Sequence, residues 1–334
     1  MDARDITILK ELDKNSRIPF QQIAKKINLS KDTVNYRIEN LKKQGIIKGF
    51  HASINVGKLG YIGMRLLVKL YQVSPEKEQE IINYLLDEPS LGWVVSVEGY
   101  WDINTYFYFK DINQMHLFYQ TFIDKYSNYI ENKNFSIYHQ IKAYSRDYLD
   151  KQLERTPFII YENSVPIDID EKDTIILSLL GGDARTTILK MSQETGLTSK
   201  TVIERIKKLE KENIITGYRL TLGLDKLNYI YYKIHITLFN STIEKKHQLI
   251  QHIRENPNII YEDQLIGGYD IEFEFEAQTP DQIRNFIDDM RRKFSTIIKE
   301  YELLTYYRLH QERFFPKIKV QNKKDNFIDK LSNK

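Results

Sequence analysis

The residues best equipped for chemistry lie between Ile27 and Phe50, in the stretch INLSKDTVNYRIENLKKQGIIKGF. Lys31, Asn35 and Tyr36 present an ammonium, an amide and a phenol within two helical turns, a set that can hydrogen-bond to base edges. Arg37, Lys42, Lys43 and Lys48 supply cations of the kind that neutralise phosphates. Behind the N-cap residue Ser30, Val34, Ile38 and Leu41 recur at helical spacing, so Lys31, Asp32, Asn35, Tyr36, Glu39 and Lys42 are expected on the exposed side of one amphipathic helix. The shorter pattern before it, Pro19 to Ile27, reads as a helix that buries Phe20, Ile23, Ala24 and Ile27 and breaks at Asn28. Two helices joined so tightly cross steeply, which is the helix-turn-helix geometry whose second helix enters a DNA major groove. Gly45 ends the second helix, and Ile46, Ile47, Phe50, Ala52 and Ile54 suggest a short β-wing. Upstream, Asp2 can cap a helix with Ile6, Leu9 and Leu12 as its inner face.

The positioning elements occur twice. Asp5 matches Asp173, Leu9 matches Leu177, Arg17 matches Arg185, Thr33 matches Thr201, Arg37 matches Arg205 and Tyr61 matches Tyr229, each pair differing by 168 (173 − 5, 229 − 61). The register continues through Pro89 and Pro257, Gly99 and Gly267, Asp102 and Asp270, and Tyr138 and Tyr306, so the whole chain is a tandem duplication. In the second copy, Lys200, Arg205, Lys207 and Lys208 are the candidate phosphate contacts, while Ile203 and Glu204 stand in place of Asn35 and Tyr36. Residues 1–50 carry eleven Lys and Arg against six Asp and Glu, a net of +5, whereas 170–218 carry eight against eight, a net of zero. On charge, the first module is the phosphate binder. Arg37 and Arg205 suit bracing of the fold as well as contact with DNA.

The second half of copy one reads as a strand from Met64 to Val73, a helix from Pro75 to Asp87, a hairpin through WVVSVEG and DINTYFYFK, a helix from Asp111 to Tyr126, and a last strand from Phe135 to Tyr144. Copy two repeats this from Tyr231 to His310. The order βαββαβ predicts an antiparallel sheet with two helices on one face. Its other face is expected to carry large apolar side chains and to need cover from a partner. The fold class is α+β: two winged helix-turn-helix domains, each followed by a βαββαβ ferredoxin-like domain. The expected boundaries are 1–58, 59–146, a linker at 147–167, 168–226, 227–314 and a polar, basic tail at 315–334.

With 334 residues and 41% hydrophobic content, the chain has the material for several cores, and its net charge of +3 is mild. No run approaches the roughly 18 apolar residues that span a bilayer, and MDARDITIL lacks a signal-peptide layout, so a cytoplasmic protein with no membrane partner is expected. The absence of cysteine excludes disulfides, thiolate metal sites and cysteine nucleophiles. His51, His116 and His139 have no zinc-site spacing, and no Ser-His-Asp or paired-carboxylate arrangement stands out, so neither a metal, a cofactor nor an enzymatic role is expected.

These residues resemble the Lrp/AsnC family of transcription regulators, present twice. The resemblance rests on Asp5, Ile8, Leu9, Leu12, Arg17, Leu29, Ser30, Thr33, Val34, Arg37, Ile38, Leu41, Gly45, Ile46, Ile47, Gly49 and Phe50. It rests also on the Gly-x-x-Asp turns Gly99-Tyr100-Trp101-Asp102 and Gly267-Gly268-Tyr269-Asp270. It implies a sequence-specific regulator with double-stranded DNA as partner and an amino-acid effector near Gly99, Trp101, Asp102, Gly267, Tyr269 and Asp270. It also implies dimers whose sensing sheets pack face to face, and further self-association. Here one chain holds both copies, so an intrachain pseudo-dimer is expected, its two sheets brought together by a connection of about twenty residues. An Asp in a tight turn also bonds its own backbone, which is the plainer role for Asp102 and Asp270. Two other readings fit the same architecture. Siroheme decarboxylases resemble the family and occur as fused pairs, but the wing residues here, Lys48-Gly49-Phe50-His51 and Thr216-Gly217-Tyr218-Arg219, follow the regulator pattern. A sensing or scaffold protein with reduced DNA binding is the other.

Overall fold

The computed structural model describes residues 1–149 and 157–317. Copy one contains α1 (Ala3–Lys14), α2 (Phe20–Lys26), α3 (Lys31–Lys43), β1 (Ile47–Ile54), β2 (Ile62–Leu70), α4 (Pro75–Leu86), β3 (Leu91–Glu98), β4 (Ile103–Phe109), α5 (Ile112–Tyr126) and β5 (Ile130–Ala143). A connecting strand, β6 (Phe158–Glu162), follows. Copy two contains α6 (Glu171–Gly182), α7 (Ile188–Thr195), α8 (Ser199–Lys211), β7 (Ile215–Leu222), β8 (Ile230–Leu238), α9 (Ile243–Arg254), β9 (Ile259–Ile266), β10 (Ile271–Ala277), α10 (Pro280–Lys293) and β11 (Ile298–Glu312).

Local chemistry sets the helix ends. The Asp2 and Asp5 side chains form a reciprocal cap at the start of α1. Ser30 and Thr198 accept the backbone N–H groups of Thr33 and Thr201 at the starts of α3 and α8. Gly45 (φ +71°) and its counterpart Asn213 (φ +53°) both close their helices in the left-handed region, where Asn is the most tolerated residue after Gly. In α1, Ile8, Leu9 and Leu12 are buried while Ile6 is exposed, because Ile8 rather than Ile6 shares the stripe of Leu9 and Leu12.

The wing is shared between the copies. Strand β1 pairs antiparallel with β7, placing Phe50 opposite Leu220 and Ala52 opposite Tyr218. The local wing expected in each module is thus one two-stranded ribbon across the pseudo-twofold axis. Bonds on either side of it are reciprocal: Arg17 donates to the Ala184 carbonyl at 2.6 Å and Arg185 to the Ile18 carbonyl at 2.8 Å. Arg185 also lies 4.0 Å from the Phe20 ring centroid. Burial, with the Arg17 charge, pushes it down to about 10.

Each βαββαβ unit forms a four-stranded sheet, β5-β2-β4-β3 in copy one and β11-β8-β10-β9 in copy two. The two sheets join along both edges, β3 to β11 and β5 to β9, and so close a ring of eight strands, with β6 appended to β5. Strands β5 and β11 run longer than the sequence pattern predicts because each serves one neighbour near its start and another near its end. The helices lie outside the ring over separate apolar cores, one around Phe107, Phe118 and Phe122 and the other around Phe273, Phe275 and Met290.

The inward face is the apolar surface expected only in part: Leu67, Val95, Val97, Trp101 and Leu304 form a buried apolar cluster, and beside it lie buried charges. Strand β10 reads Ile-Glu-Phe-Glu-Phe-Glu-Ala, and the pleat sends Ile271, Phe273 and Phe275 to the helices and Glu272, Glu274 and Glu276 inward. Glu272 takes both guanidinium arms of Arg65, one at 2.7 Å. Lys233 is paired with Asp263 and lies 3.5 Å from Glu272 and 3.4 Å from Glu274. Sequence periodicity located the face, but reading it as apolar missed the alternating carboxylates.

Of the other boundary expectations, residues 150–156 of the linker and 318–334 of the basic tail lie outside the described residues. Phe315, the first residue assigned to the tail, is buried against Gly181 and Ile54.

Candidate nucleic-acid interface and sensing turns

Helix α3 buries Val34, Ile38 and Leu41 against the helix-turn-helix core and exposes Lys31, Asn35, Tyr36, Lys42 and Lys43. Among the described residues, the side chains of Lys31, Asn35, Tyr36 and Lys43 make no hydrogen bond or ion pair, and Tyr36 is 66% exposed. Lys42 is engaged with Glu39 at 2.9 Å and lies 5.3 Å from the Phe50 ring centroid, while Lys48 lies 3.5 Å from Asp225 of the second copy. Such exposed pairs are worth little and exchange readily for phosphate. Arg37 is different. It bonds Asp5 at 2.8 Å and Asp2 at 3.0 Å, and hydrogen bonding to Asp5, opposed by desolvation, raises its already high pKa. It ties α3 to the start of α1, as Arg205 ties α8 to Asp170 and Asp173 of α6. Both arginines brace the modules.

In α8, Lys200, Ile203, Glu204, Lys207 and Lys208 are exposed. Lys208 lies 3.9 Å from Glu212. A hollow of about 580 Å³ beside this helix is lined by Asp168, Asp170, Asp173 and Glu204 together with Arg205 and Lys208, an acidic flank on balance.

The two Gly-x-x-Asp turns meet each other. The Trp101 indole N–H donates to the Tyr269 hydroxyl at 2.9 Å and to Glu302 at 3.2 Å, and the Tyr269 hydroxyl itself donates to Glu302. His235 stacks on Tyr269 with ring centroids 4.2 Å apart. Asp102 accepts the Leu70 backbone N–H at 2.6 Å and Lys69 at 3.1 Å, and Asp270 accepts the Leu238 N–H at 2.7 Å. Both carboxylates therefore fix the turn to the chain's own β-strands. Gly99 (φ +143°) packs on β11, where a Cβ would lie 2.7 Å from the Leu303 carbonyl oxygen, and Gly267 (φ +81°) packs on β5.

From this end a line of buried charge runs inward. Burial opposes the charge on Glu272, but Arg65, His235 and Lys233 hold its carboxyl down to about 2. Burial, with the Asp263 charge, pushes Glu274 up to about 6. At the far end Glu276 holds Arg146 by two bonds of 2.9 and 3.0 Å, and Arg146 bonds Asp13 of α1 at 2.8 Å. The residues 168 positions away, Phe314, Gly181 and Tyr108, carry no charge: Phe314 stacks 3.3 Å from His51, Gly181 packs against Phe315, and Tyr108 donates to the Arg313 carbonyl at 3.0 Å. Burial keeps that histidine well below its ordinary pKa. Apart from His51, weighed there only as a histidine without zinc-site spacing and as part of the wing, none of these inward groups was singled out from the sequence, where the alternation along β10 announces the carboxylates.

Comparison with known proteins agrees with the duplication. A family profile described as winged helix-turn-helix DNA-binding matches residues 1–48 and again 169–216. The transcriptional regulator Ptr1 of Methanocaldococcus jannaschii is 34% identical over 115 residues, 34% of this chain and 76% of Ptr1. The transcriptional regulator LrpA of Pyrococcus horikoshii is 46% identical over 85 residues, 25% of this chain and 59% of LrpA. The crystal structure of the siroheme decarboxylase NirDL superimposes with a TM-score of 0.64 at 13% identity, covering 99% of this chain and 100% of that one, a likeness of fold. Among the described residues no helix is long and apolar enough to cross a membrane. With the paired helix-turn-helix units, the shared ribbon and this kinship to named regulators, the chain belongs to the Lrp/AsnC family of DNA-binding helix-turn-helix transcription regulators, two copies of which are fused within it.

Proposed function

We propose that this regulator reads duplex DNA as an asymmetric pair, with α3 in the major groove of a stronger half-site and α8 in that of a weaker one. In this reading Lys31, Asn35 and Tyr36 face base edges, and Lys42, Lys43 and Lys48 lie near phosphates, joined in the second module by Lys200, Lys207 and Lys208. The observation that carries it is the division of labour in α3. Lys31, Asn35, Tyr36 and Lys43 have no partner among the described residues, while Arg37, half-buried, is the one cation of the set engaged by two carboxylates. Mobility-shift titration of the full chain against genomic fragments tests it. Binding should weaken steeply with salt, as released counterions require, and the pair Lys42→Glu, Lys43→Glu should abolish most of it. Unchanged affinity in that variant sinks the assignment.

The effector is proposed to be an amino acid or similar small metabolite acting at the Gly99–Asp102 and Gly267–Asp270 turns. What supports this is their convergence on the Trp101, Tyr269 and Glu302 cluster, where one ligand would touch both copies. Calorimetry with the amino acids is the test. If none binds, and Asp102→Ala leaves DNA affinity unaltered with every metabolite tried, the turns are structural. The reading is non-enzymatic, supported by named relatives that are regulators and by His51 being enclosed against Phe314. Tetrapyrrole absorbance in the purified protein would turn it toward the decarboxylase alternative.

A further inference from the structure

The second module differs from the first at two exposed positions of its helix-turn-helix. Asn35 of α3 corresponds to Ile203 of α8, and Gln21 of α2 corresponds to Leu189 of α7. Ile203 is 40% exposed and Leu189 64% exposed, so neither has been drawn into the core. Around Ile203 the charge has also changed. Lys200, Ile203 and Lys207 stand at i, i+3 and i+7, one stripe of α8, where α3 has Asp32, Asn35 and Glu39. Both lysines are exposed and form no ion pair among the described residues, whereas Glu39 is held by Lys42. Exposed Glu204, four residues after Lys200 and three before Lys207, borders the stripe on the side of the hollow lined also by Thr201, Arg205 and Lys208, and it forms no ion pair with either lysine among the described residues. The net charge of zero for the second module therefore conceals a basic stripe with an apolar centre.

Resting on the reading of α8 as a groove helix, we infer that Ile203 recognises a thymine C5-methyl group, while Lys200 and Lys207 seat the helix between phosphates. The major-groove edge of an A·T pair offers one apolar feature, the thymine methyl, and an aliphatic side chain without hydrogen-bonding atoms suits it where an amide does not. A protein partner would fit an apolar pair, but two exposed flanking cations that form no ion pair among the described residues match a polyanion better. The two modules then read by different chemistry: hydrogen bonds from Asn35 and Tyr36 in one half-site, methyl contact in the other.

The probe is the duplex that the full chain selects from a randomised pool. Selection with Asn35→Ala should blur one half of the consensus, and the half left sharp belongs to the second module. In that half, thymines are replaced by deoxyuracil, which removes the methyl group and keeps base pairing. Wild-type affinity should fall about four-fold for each contacted methyl, the worth of one buried methyl-sized group. Ile203→Ala should bind the thymine duplex as weakly as wild type binds the deoxyuracil duplex and should not distinguish the two. Ile203 is exposed, so this variant is expected to fold, and circular dichroism checks it. Equal losses in wild type and variant, or no deoxyuracil effect, overturn the inference while leaving DNA binding through the first module intact. A change of oligomeric state in Ile203→Ala without a deoxyuracil effect would make the pair a self-association surface. Selection of no sequence at all fails the proposed function itself.

Discussion

Trp101 donates its indole N–H to the hydroxyl of Tyr269, its own counterpart 168 residues later, so the copies touch through equivalent residues that have become chemically different. In a symmetric dimer of identical subunits the same place would bring two like side chains together. Here one is a donor without acceptor capacity and the other serves as acceptor from Trp101 and donor to Glu302.

Removing the bond is expected to cost about 1 kcal/mol, the net worth of a neutral hydrogen bond. Trp101→Phe and Tyr269→Phe should each lower the denaturation midpoint modestly. The double variant should lose less than the sum, because the two groups share Glu302. Strict additivity in urea unfolding would show that the two turns are energetically independent.

Arg146 should matter far more. It is the shared cation of Asp13 and Glu276, both buried. Arg146→Met leaves two carboxylates enclosed without a counter-charge and is expected to cost about 3–5 kcal/mol. At the matching position Phe314→Leu trades one apolar side chain for another and should cost under about 2 kcal/mol. Thermal unfolding compares the two directly, and similar losses would contradict the asymmetry between the two positions.

The helices, their caps, the repeat and the βαββαβ order were legible because each rests on local periodicity. Ser30, Val34, Ile38 and Leu41 announce α3 whatever surrounds it. The partners of β1, β3 and β5 were not legible, since strand edges are completed by residues more than a hundred positions away. Arg37 shows the same limit at the interface. Its type and place on the helix suit phosphate, and only the arrival of Asp2 and Asp5 at the start of α1 engages it within the module.

Glu274 supplies a pH test. Its ordinary value is 4.5 and the folded protein raises it to about 6, through burial first and the Asp263 charge second. The folded state thus holds this proton more tightly than the unfolded chain. The stabilisation is complete below pH about 4.5 and is lost as pH rises through about 6. Glu274→Gln keeps the shape and cannot ionise, so its melting temperature should gain on that of wild type across this window. Parallel curves from pH 4 to 8 would place the titration elsewhere.

The helix-ending pair Gly45 and Asn213 predicts a graded series. Gly45→Ala puts a Cβ into a left-handed conformation and should cost about 1 kcal/mol. Gly45→Asn repeats what the second copy already accepts and should cost clearly less. Chemical denaturation that ranks Asn below Ala would be inconsistent with the observed φ of +53° at Asn213.

The charges inside the ring decide what each half can become alone. Arg65 of copy one finds its carboxylate in Glu272 of copy two, and the position equivalent to Glu272 in copy one is Asn104. Two first halves brought together would enclose two guanidinium groups with no Glu272 between them. Two second halves would gather a surplus of carboxylates around Lys233. The duplication has therefore made its products obligate complements. A fragment of residues 1–149 should self-associate poorly despite its open strand edges, and should pair with a second-copy fragment instead. Size-exclusion chromatography of the separate and mixed halves distinguishes these outcomes. With Asn104 where the second copy has Glu272, each half carries a charge pattern that the other completes, and fusion in one chain holds the two complements at fixed one-to-one stoichiometry.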